Sequence, residues 1–444
     1  MQFFLSALNR KTLGGVLILA MILVTIVDGL VTTSLPFNLL WLSGGCGWLA
    51  ATLLIVDTPR ILQIQVGLLI AVGLSFFIIA FNQTTDISPH INRAISGNSG
   101  LLTMVAAVGF LRLVAMPETQ AHEKLPIGKK AYLLTLLGIN LSSTIINISA
   151  PILIADRIHR QQPLQRFTSQ SFTRIFCGVA TWSPFFGSMA VVLTFVEGAQ
   201  LQTLILLGLP FTVFGFLVVF FEARVRYPEQ VEKFVGYPMH LSGLTVPLIL
   251  VATVIVLSWL LPDTAVLIII ALGALFVTVL ILVFRLGPLH SLRQLSQYVV
   301  EGLPRNVNEL ALFLAAGVLA SGMSMMIENG FVLNPFAAFD ATTASLLLAI
   351  ILIAAAVGIH PVILISSLTP MLITLEPNPS LLALTYLIAW NLGTCSSPLS
   401  GTHLVFQGRY GIPSWKAALW NWPYASVMFL IGVVWLQLVA IYFV

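Results

Sequence analysis

Long apolar runs recur along the whole chain and restrict it to one class of fold. Each run has about 20 residues, the length that an α-helix needs to cross the hydrocarbon core of a bilayer. Of the 444 residues, 58% are hydrophobic and only 8% are charged, whereas a soluble domain carries about 25% charged residues. The runs are continuous rather than alternating, which argues against a membrane β-barrel. The sequence therefore predicts an all-α polytopic membrane protein.

Eleven of the runs are predicted to be transmembrane helices. They lie near residues 13–32, 35–56, 61–81, 99–116, 172–196, 201–221, 241–261, 264–284, 308–327, 381–406 and 417–443. Two further apolar stretches, about 131–155 and 343–375, contain polar and helix-breaking residues near their centres. We expect these two stretches to be re-entrant hairpins, which enter the membrane and return to the same side.

The basic residues favour this interpretation. Lys and Arg concentrate in the cytoplasmic loops of membrane proteins. With a cytoplasmic N-terminus and two returning hairpins, most basic loops, including the one that carries Arg157, Arg160, Arg166 and Arg174, lie inside. The sequence thus predicts an integral protein of a bacterial inner (plasma) membrane, with the N-terminus in the cytoplasm and the C-terminus outside.

Two polar stretches share a motif and indicate an internal repeat. Both "TWSPFFGSM" (181–189) and "CSSPLSGTH" (395–403) contain Ser-Pro-x-x-Gly. Upstream of them, Gly138-Ile139-Asn140 with Pro151 corresponds to Gly358-Ile359-His360 with Pro370. The charge pattern places the two copies in opposite orientation, the arrangement found in secondary transporters.

The repeat also predicts the division of the chain. The predicted segments are a first transmembrane helix (1–34), repeat 1 (35–221) with a cytoplasmic-side hairpin at about 131–155, and repeat 2 (241–443) with an outside-entering hairpin at about 343–375.

The interrupted stretches supply the candidate binding site. Proline lacks an N–H and leaves a carbonyl of the preceding turn unbonded, and lipid tolerates such a break only where it is buried in protein or lines a cavity. Carbonyl, hydroxyl and amide oxygens are neutral ligands for a cation, and helix N-termini favour an anion. The predicted substrate- and ion-binding residues are Asn140, Ser142, Ser143, Thr144, Asn147, Thr181, Ser183, Pro184, His360, Ser366, Ser367, Thr369, Thr394, Ser396, Ser397, Pro398, Thr402 and His403. Within this set, the candidates for Na⁺ are Ser142, Ser143, Thr144 and Thr181.

A family resemblance rests on the same motifs. "SSTIINISAP", followed by "GVATWSPFFG", resembles the ion transporter superfamily, and most of all its divalent anion/sodium symporter branch, which includes citrate and dicarboxylate carriers. Ser142-Ser143-Thr144 has Ser where that family has Asn, and Ser396-Ser397-Pro398 replaces its Thr-Pro-Pro. The resemblance implies an elevator mechanism and a homodimer.

The sequence therefore predicts a secondary active transporter of a small anionic, carboxylate-type solute. Na⁺ or H⁺ is the expected coupling ion, and no cofactor or other metal is expected. The expected partners are the solute and the lipid bilayer, and the scattered basic residues give no nucleic-acid surface.

Other functions are kept as alternatives. A cation/proton antiporter or oxyanion efflux permease of the same superfamily is less favoured, because the repeat cores contain no carboxylate and proton-exchange sites usually need one. The large permease subunit of a binding-protein-dependent transporter is another alternative. An intramembrane enzyme rests only on Ser400 and His403, three residues apart, and the chain is predicted not to be an enzyme.

Overall fold

The computed structural model describes residues 9–31, 38–83, 86–115, 125–160, 162–237, 245–331 and 334–443. The α-helices in these ranges are α1 (Arg10–Leu30), α2 (Leu39–Leu54), α3 (Arg60–Ala80), α4 (Ser88–Ser96), α5 (Ser99–Gly109), α6 (Arg112–Ala115), α7 (Lys129–Ile146), α8 (Ser149–His159), α9 (Arg166–Gly178), α10 (Gly187–Phe195), α11 (Leu201–Arg226), α12 (Pro228–Glu232), α13 (Thr245–Leu260), α14 (Val266–Leu286), α15 (Pro288–Glu301), α16 (Val307–Glu328), α17 (Ala341–Ala356), α18 (Pro361–Ile373), α19 (Pro379–Ser396), α20 (Gly401–Tyr410) and α21 (Ser414–Tyr442).

The structure confirms the predicted fold class, an all-α polytopic membrane protein. Among the described residues, 8 helical segments are long and apolar enough to cross a membrane, by length and composition, and three shorter apolar helices accompany them. The predicted spans at 172–196 and 381–406 are not continuous, because each consists of two shorter helices with a break between them. The predicted borders at residues 34, 35 and 241 lie outside the described ranges.

The chain forms two compact units, and each contains segments from both predicted repeats. Unit 1 comprises residues 1–114, 248–335 and 366–374, and unit 2 comprises residues 115–247, 336–365 and 375–444. Both interrupted stretches, near 179–187 and 396–401, therefore belong to unit 2. The division into repeats remains a prediction.

Close helix packing in unit 1 depends on small residues. α3 packs along α16, and a side chain at Gly73 would lie 2.9 Å from the backbone of Val318 and Leu319. A side chain at Gly322 would in turn lie 2.5 Å from the carbonyl oxygen of Gly73. Small residues let helix backbones approach closely within a membrane, so these two glycines bring α3 and α16 together.

The first predicted hairpin is a helix–turn–helix. α7 and α8 pack on each other, and the chain reverses at Asn147, which has a φ of 50°. Asn adopts positive φ more readily than most residues. Gly138 lies in the middle of α7 and Pro151 in the first turn of α8.

The second predicted hairpin turns at Gly358, which has a φ of 95°, and Pro361 is the first residue of α18. The turns are thus at Asn147 and Gly358, so the predicted match of Gly138-Ile139-Asn140 with Gly358-Ile359-His360 is wrong. Pro151 likewise corresponds in position to Pro361 rather than to Pro370, which lies well inside α18. α17 packs mainly on α19 and α21, and the end of α18 belongs to unit 1.

The start of α17 offers a test of stability at the surface. The Asp340 carboxylate accepts a hydrogen bond from the backbone N–H of Thr343, 2.8 Å away, and caps the helix. This bond holds the pKa of Asp340 below its ordinary value. The stabilisation is therefore complete above the ordinary carboxyl pKa and is lost as the pH falls through the lowered one.

Asp340→Ala is expected to lower the free energy of unfolding by about 0.5–2 kcal/mol at neutral pH, because the cap is lost. Melting temperatures in detergent at neutral and acidic pH check this, and the difference between mutant and wild type should shrink in acid. Asp263→Ala, in the loop between α13 and α14, is the control. A difference between mutant and wild type that does not depend on pH would contradict the capping role.

Candidate functional site

The first interrupted helix breaks where the sequence predicts it. α9 continues as a 3-10 turn over Val179–Thr181, and α10 begins at Gly187. Ser183 and Pro184 lie between them, and we call residues 182–186 break 1. The Ser183 hydroxyl donates to the carbonyl oxygen of Thr144, 3.2 Å away on α7. Break 1 is thereby tied to the first hairpin.

The carbonyls near break 1 have hydroxyl partners. The hydroxyls of Thr181 and Thr212 lie 2.8 and 2.9 Å from the Gly178 oxygen and 2.6 Å from each other, so one donates to Gly178 and the other to its neighbour. The Ala180 oxygen accepts from Ser188 at 2.6 Å. Buried carbonyls that lose their helical partner need such substitutes. A hydroxyl that donates its hydrogen keeps lone pairs, so Thr181 retains the capacity to coordinate a cation.

The second interrupted helix also breaks at its Ser-Pro pair. α19 ends at Ser396 and α20 begins at Gly401, and we call residues 397–400 break 2. The Ser400 hydroxyl caps α20 by accepting from the backbone N–H of His403 at 3.4 Å. The Ser397 hydroxyl accepts from the N–H of Leu399 at 3.3 Å. Both breaks are confirmed, with a glycine opening the following helix in each.

The two breaks belong to connected parts of unit 2. The 3-10 turn Val179–Thr181 and α10 both pack on α19. Ser183 is buried within break 1 and Thr181 just before it. Ser397 is buried within break 2, and the residues buried beside it are Ser396, Thr402 and His403. Pro184 and Pro398 are half-buried. One compact unit thus brings together most of the predicted site residues.

Several predicted ligands make local bonds that any membrane helix could make. The hydroxyls of Thr144, Thr394 and Ser396 donate to the carbonyls of Leu141, Trp390 and Leu392, each at 2.7 Å. Such bonds to the preceding turn are common for Ser and Thr. Ser143 differs, because its buried hydroxyl has no hydrogen-bond partner among the described residues. Ser142 is half-buried.

Asn140 and Asn147 serve the first hairpin in different ways. The amide of Asn140 donates to the carbonyl of Ile175 at 3.1 Å and joins α7 to α9. Asn147 forms the turn between α7 and α8. Asn140 therefore holds the hairpin against the interrupted helix, and Asn147 allows the chain to reverse.

The turn of the second hairpin packs against break 2. A side chain at Gly358 would lie 2.6 Å from the end of the Leu399 side chain, and the positive φ of Gly358 favours glycine there. His360 is half-buried; its Nδ1 accepts from the N–H of Val362 at 3.2 Å, and its ring meets the Trp390 ring edge-on at 5.0 Å. His360 therefore caps the start of α18 beside α19.

Three predicted site residues belong to the other compact unit. Ser366, Ser367 and Thr369 lie in the 366–374 segment of unit 1. Ser366 and Thr369 are buried, and all three have interaction partners. The structure does not assign them to the unit that contains the two breaks.

A buried ion pair in unit 2 was not predicted. Arg174, expected in a cytoplasmic loop, lies within α9 with its side chain 4% exposed. Its NH1 group donates to the Glu222 carboxylate of α11 at 2.6 Å, and Glu222 is 15% exposed. Glu222 lies one residue beyond the predicted end of repeat 1 (35–221), so the expectation about carboxylates in the repeat cores did not consider it. A charged residue inside an apolar helical stretch, "SFTRIFCG", is the sequence signal that could have identified Arg174.

Arg174 has further partners on α21. Its Nε donates to the Asn421 side-chain oxygen at 2.9 Å, and NH2 donates to the Trp420 carbonyl at 3.1 Å. The guanidinium also lies over the Tyr424 ring, 4.8 Å from its centroid. A buried charge is stable only when paired and hydrogen-bonded, and α21 supplies these bonds.

The network continues to break 2 through a histidine. Asn421 is 3.2 Å from Nε2 of His403, and Nδ1 of His403 is 2.8 Å from the carbonyl oxygen of Ser397. Asn421 accepts from Arg174 through its oxygen and so donates through its nitrogen, which places the histidine proton on Nδ1. Both ring nitrogens of His403 are thus hydrogen-bonded to groups other than the Ser400 hydroxyl. The Ser400–His403 dyad that the enzyme alternative requires is therefore not formed in this structure.

Comparisons with known proteins do not identify a family. No family model matches the chain, and no curated protein matches it. Among solved structures, the chain is similar to the YdaH transporter of Alcanivorax borkumensis, whose crystal structure reveals an unusual topology. The identity is 13%, the match covers 97% of this chain and 98% of that chain, and the TM-score is 0.46. The resemblance to the divalent anion/sodium symporter branch therefore remains a prediction.

Proposed function

We propose that this protein is a secondary active transporter of a small anionic, carboxylate-type solute, coupled to Na⁺ or H⁺. The observation that carries the proposal is the pair of Ser-Pro breaks, which come from the two halves of the chain and lie in one compact unit. Broken helices are tolerated in a membrane where they are buried in protein or line a cavity, and in secondary transporters they form the solute and ion sites.

Each break also packs against the hairpin of its own half. Ser183 of break 1 bonds to Thr144 of the first hairpin, and Leu399 of break 2 packs against Gly358 in the second turn. A movement of either hairpin would therefore alter the geometry of its break. An elevator mechanism needs two bodies, and the division of the chain into two compact units supports that part of the proposal.

The experiment is solute uptake into proteoliposomes. Radiolabelled succinate, citrate and sulfate would be tested with an inward Na⁺ gradient, with an inward H⁺ gradient and with no gradient. We expect gradient-dependent accumulation of at least one carboxylate. The absence of gradient-dependent flux of every anion tested would refute the proposal.

Ser183→Ala and Ser397→Ala are each expected to lower the initial uptake rate about tenfold, which corresponds to about 1.4 kcal/mol. Ser183→Ala leaves the Thr144 carbonyl unpaired, and Ser397→Ala removes the acceptor for Leu399 N–H. Ser75→Ala, an exposed hydroxyl bonded to its own helix at 2.7 Å, is the matched control. Wild-type uptake in both test variants, at equal membrane insertion, would remove these serines from the site.

A further inference from the structure

The Arg174–Glu222 pair lies beside a narrow cleft in unit 2. The cleft is lined by residues of α9 and α11, among them Gln170, Ser171, Arg174 and Glu222, and by Tyr227. Arg174 forms part of its wall, and the Glu222 carboxylate is the more exposed of the two charged groups. The cleft itself has room for only about one water molecule, so an anion can reach the guanidinium only in the space that the Glu222 carboxylate now fills.

Glu222 has a second cation available on its exposed side. Its other carboxylate oxygen accepts from Arg226, one turn later on α11, at 3.1 Å. Arg226 is 60% exposed, so Glu222 can remain paired with Arg226 in a more exposed position when it leaves Arg174. This movement of Glu222 would leave a space the size of one carboxylate next to the guanidinium of Arg174.

The remaining contacts hold Arg174 in place without Glu222. Nε and NH2 donate to Asn421 and to the Trp420 carbonyl, and the Tyr424 ring lies against the guanidinium plane. NH1 is the group that faces Glu222. A guanidinium presents a planar set of donors that matches a carboxylate, so the position of Glu222 fits the carboxylate of a solute.

We infer that Arg174 is an anion-binding residue, and that Glu222 occupies the position of a solute carboxylate until a solute displaces it toward Arg226. The inference rests on the proposed function, because it assigns the anionic group of the transported solute to Arg174. The bound anion is connected to break 2 through Asn421, His403 and the Ser397 carbonyl. Arg174 thereby links solute binding to the interrupted helix of the second half.

The test is anion binding to the purified full-length protein, with acetate, succinate and sulfate as probes and thermal stabilisation as the readout. In wild type, the apparent affinity for an anion is the intrinsic affinity multiplied by the fraction of molecules in which Glu222 has left Arg174. Glu222→Gln removes this internal competitor and so raises the apparent affinity. We expect Glu222→Gln to bind acetate and succinate at least about tenfold more tightly than wild type, and more tightly than sulfate. Arg174→Gln and the double variant should show no anion-dependent stabilisation.

The direction of the change in stability and in carboxylate affinity distinguishes a binding role of the Arg174–Glu222 pair from a purely structural role. A purely structural ion pair predicts that Glu222→Gln is destabilised and gains no affinity for carboxylates. Glu232→Gln, which removes an exposed carboxylate paired with Lys129, is the charge-matched control. Equal affinity in Glu222→Gln and wild type, or equal stabilisation of the double variant and Glu222→Gln, would overturn the inference.

A second variant covers the case in which Glu222→Gln does not fold. Arg226→Gln changes an exposed residue and removes the alternative partner of Glu222, so succinate should bind more weakly than in wild type. Arg224→Gln, exposed in the same last turn of α11, should leave binding unchanged. The inference would also be overturned if Arg226→Gln and Arg224→Gln changed succinate binding equally. The same holds if carboxylates stabilised neither the wild type nor any variant.

The uptake and binding experiments can fail independently. Gradient-driven flux without carboxylate binding at Arg174 would leave the transporter proposal in place and remove Arg174 from the site. Carboxylate binding that depends on Arg174, without flux of any anion, would support the site and refute transport.

Discussion

Arg174→Met is expected to lower the free energy of unfolding by about 1–3 kcal/mol, because it removes the buried hydrogen-bond partner of Glu222, which keeps only the exposed Arg226. The two side chains are 4% and 15% exposed, and their charged atoms are 2.6 Å apart. The substitution also removes the donors to Asn421 and to the Trp420 carbonyl. Unfolding in mixed micelles with an increasing fraction of denaturing detergent measures the change.

A double-mutant cycle identifies the source of this effect. Arg174→Met/Glu222→Met replaces both charges with apolar side chains, and such replacements are often neutral or stabilising. We therefore expect the double variant to be more stable than Arg174→Met alone. Lys129→Met breaks the exposed Lys129–Glu232 pair and should change the stability by less than about 1 kcal/mol. Additive effects in the cycle would show that Arg174 and Glu222 do not stabilise each other.

Local sequence signals predicted the interruptions well. Ser183-Pro184 and Ser397-Pro398 mark breaks because proline removes a helical hydrogen bond whatever its surroundings. Gly187 and Gly401 then open the following helices. Apolar runs of spanning length predicted most of the long helices for a similar reason, since length and hydropathy are properties of the segment itself.

Contacts between distant segments could not be predicted. Arg174 was assigned to a loop because an arginine in a membrane protein most often marks one, whereas its partners Glu222 and Asn421 come from helices far along the chain. The match between the two hairpins was also wrong. Gly138-Ile139-Asn140 and Gly358-Ile359-His360 look alike in sequence, but only Gly358 has the positive φ that a turn uses.

The same distinction applies to the candidate ligands. A hydroxyl near a proline is equally suited to bind a solute, an ion or the carbonyl that the proline leaves unbonded. In the structure Thr181 and Thr212 bond to each other and to the Gly178 carbonyl, and Ser188 bonds to the Ala180 carbonyl. The choice between these roles depends on which carbonyls come within reach, and that follows from packing rather than from residue type.

Gly208→Ala is expected to destabilise the protein by about 1–3 kcal/mol, the usual cost of overpacking, and to reduce solute uptake. A side chain at Gly208 would overlap the carbonyl oxygen of Thr181 and would lie 2.7 Å from its carbonyl carbon. Those atoms are backbone at the edge of break 1, so they can move only if the 3-10 turn Val179–Thr181 or α11 moves. Alanine favours helix over glycine by about 1 kcal/mol, a gain that the overlap outweighs.

Gly67→Ala is the matched control, because Gly67 also lies within a long helix and a side chain there meets nothing within 4 Å. It should be neutral or slightly stabilising, since the helix propensity gain is unopposed. Melting temperature and uptake would be measured on both variants at equal expression. A Gly208→Ala protein with wild-type stability would show that α11 is not packed this closely against the turn. Wild-type uptake despite reduced stability would show that the geometry of break 1 does not limit transport.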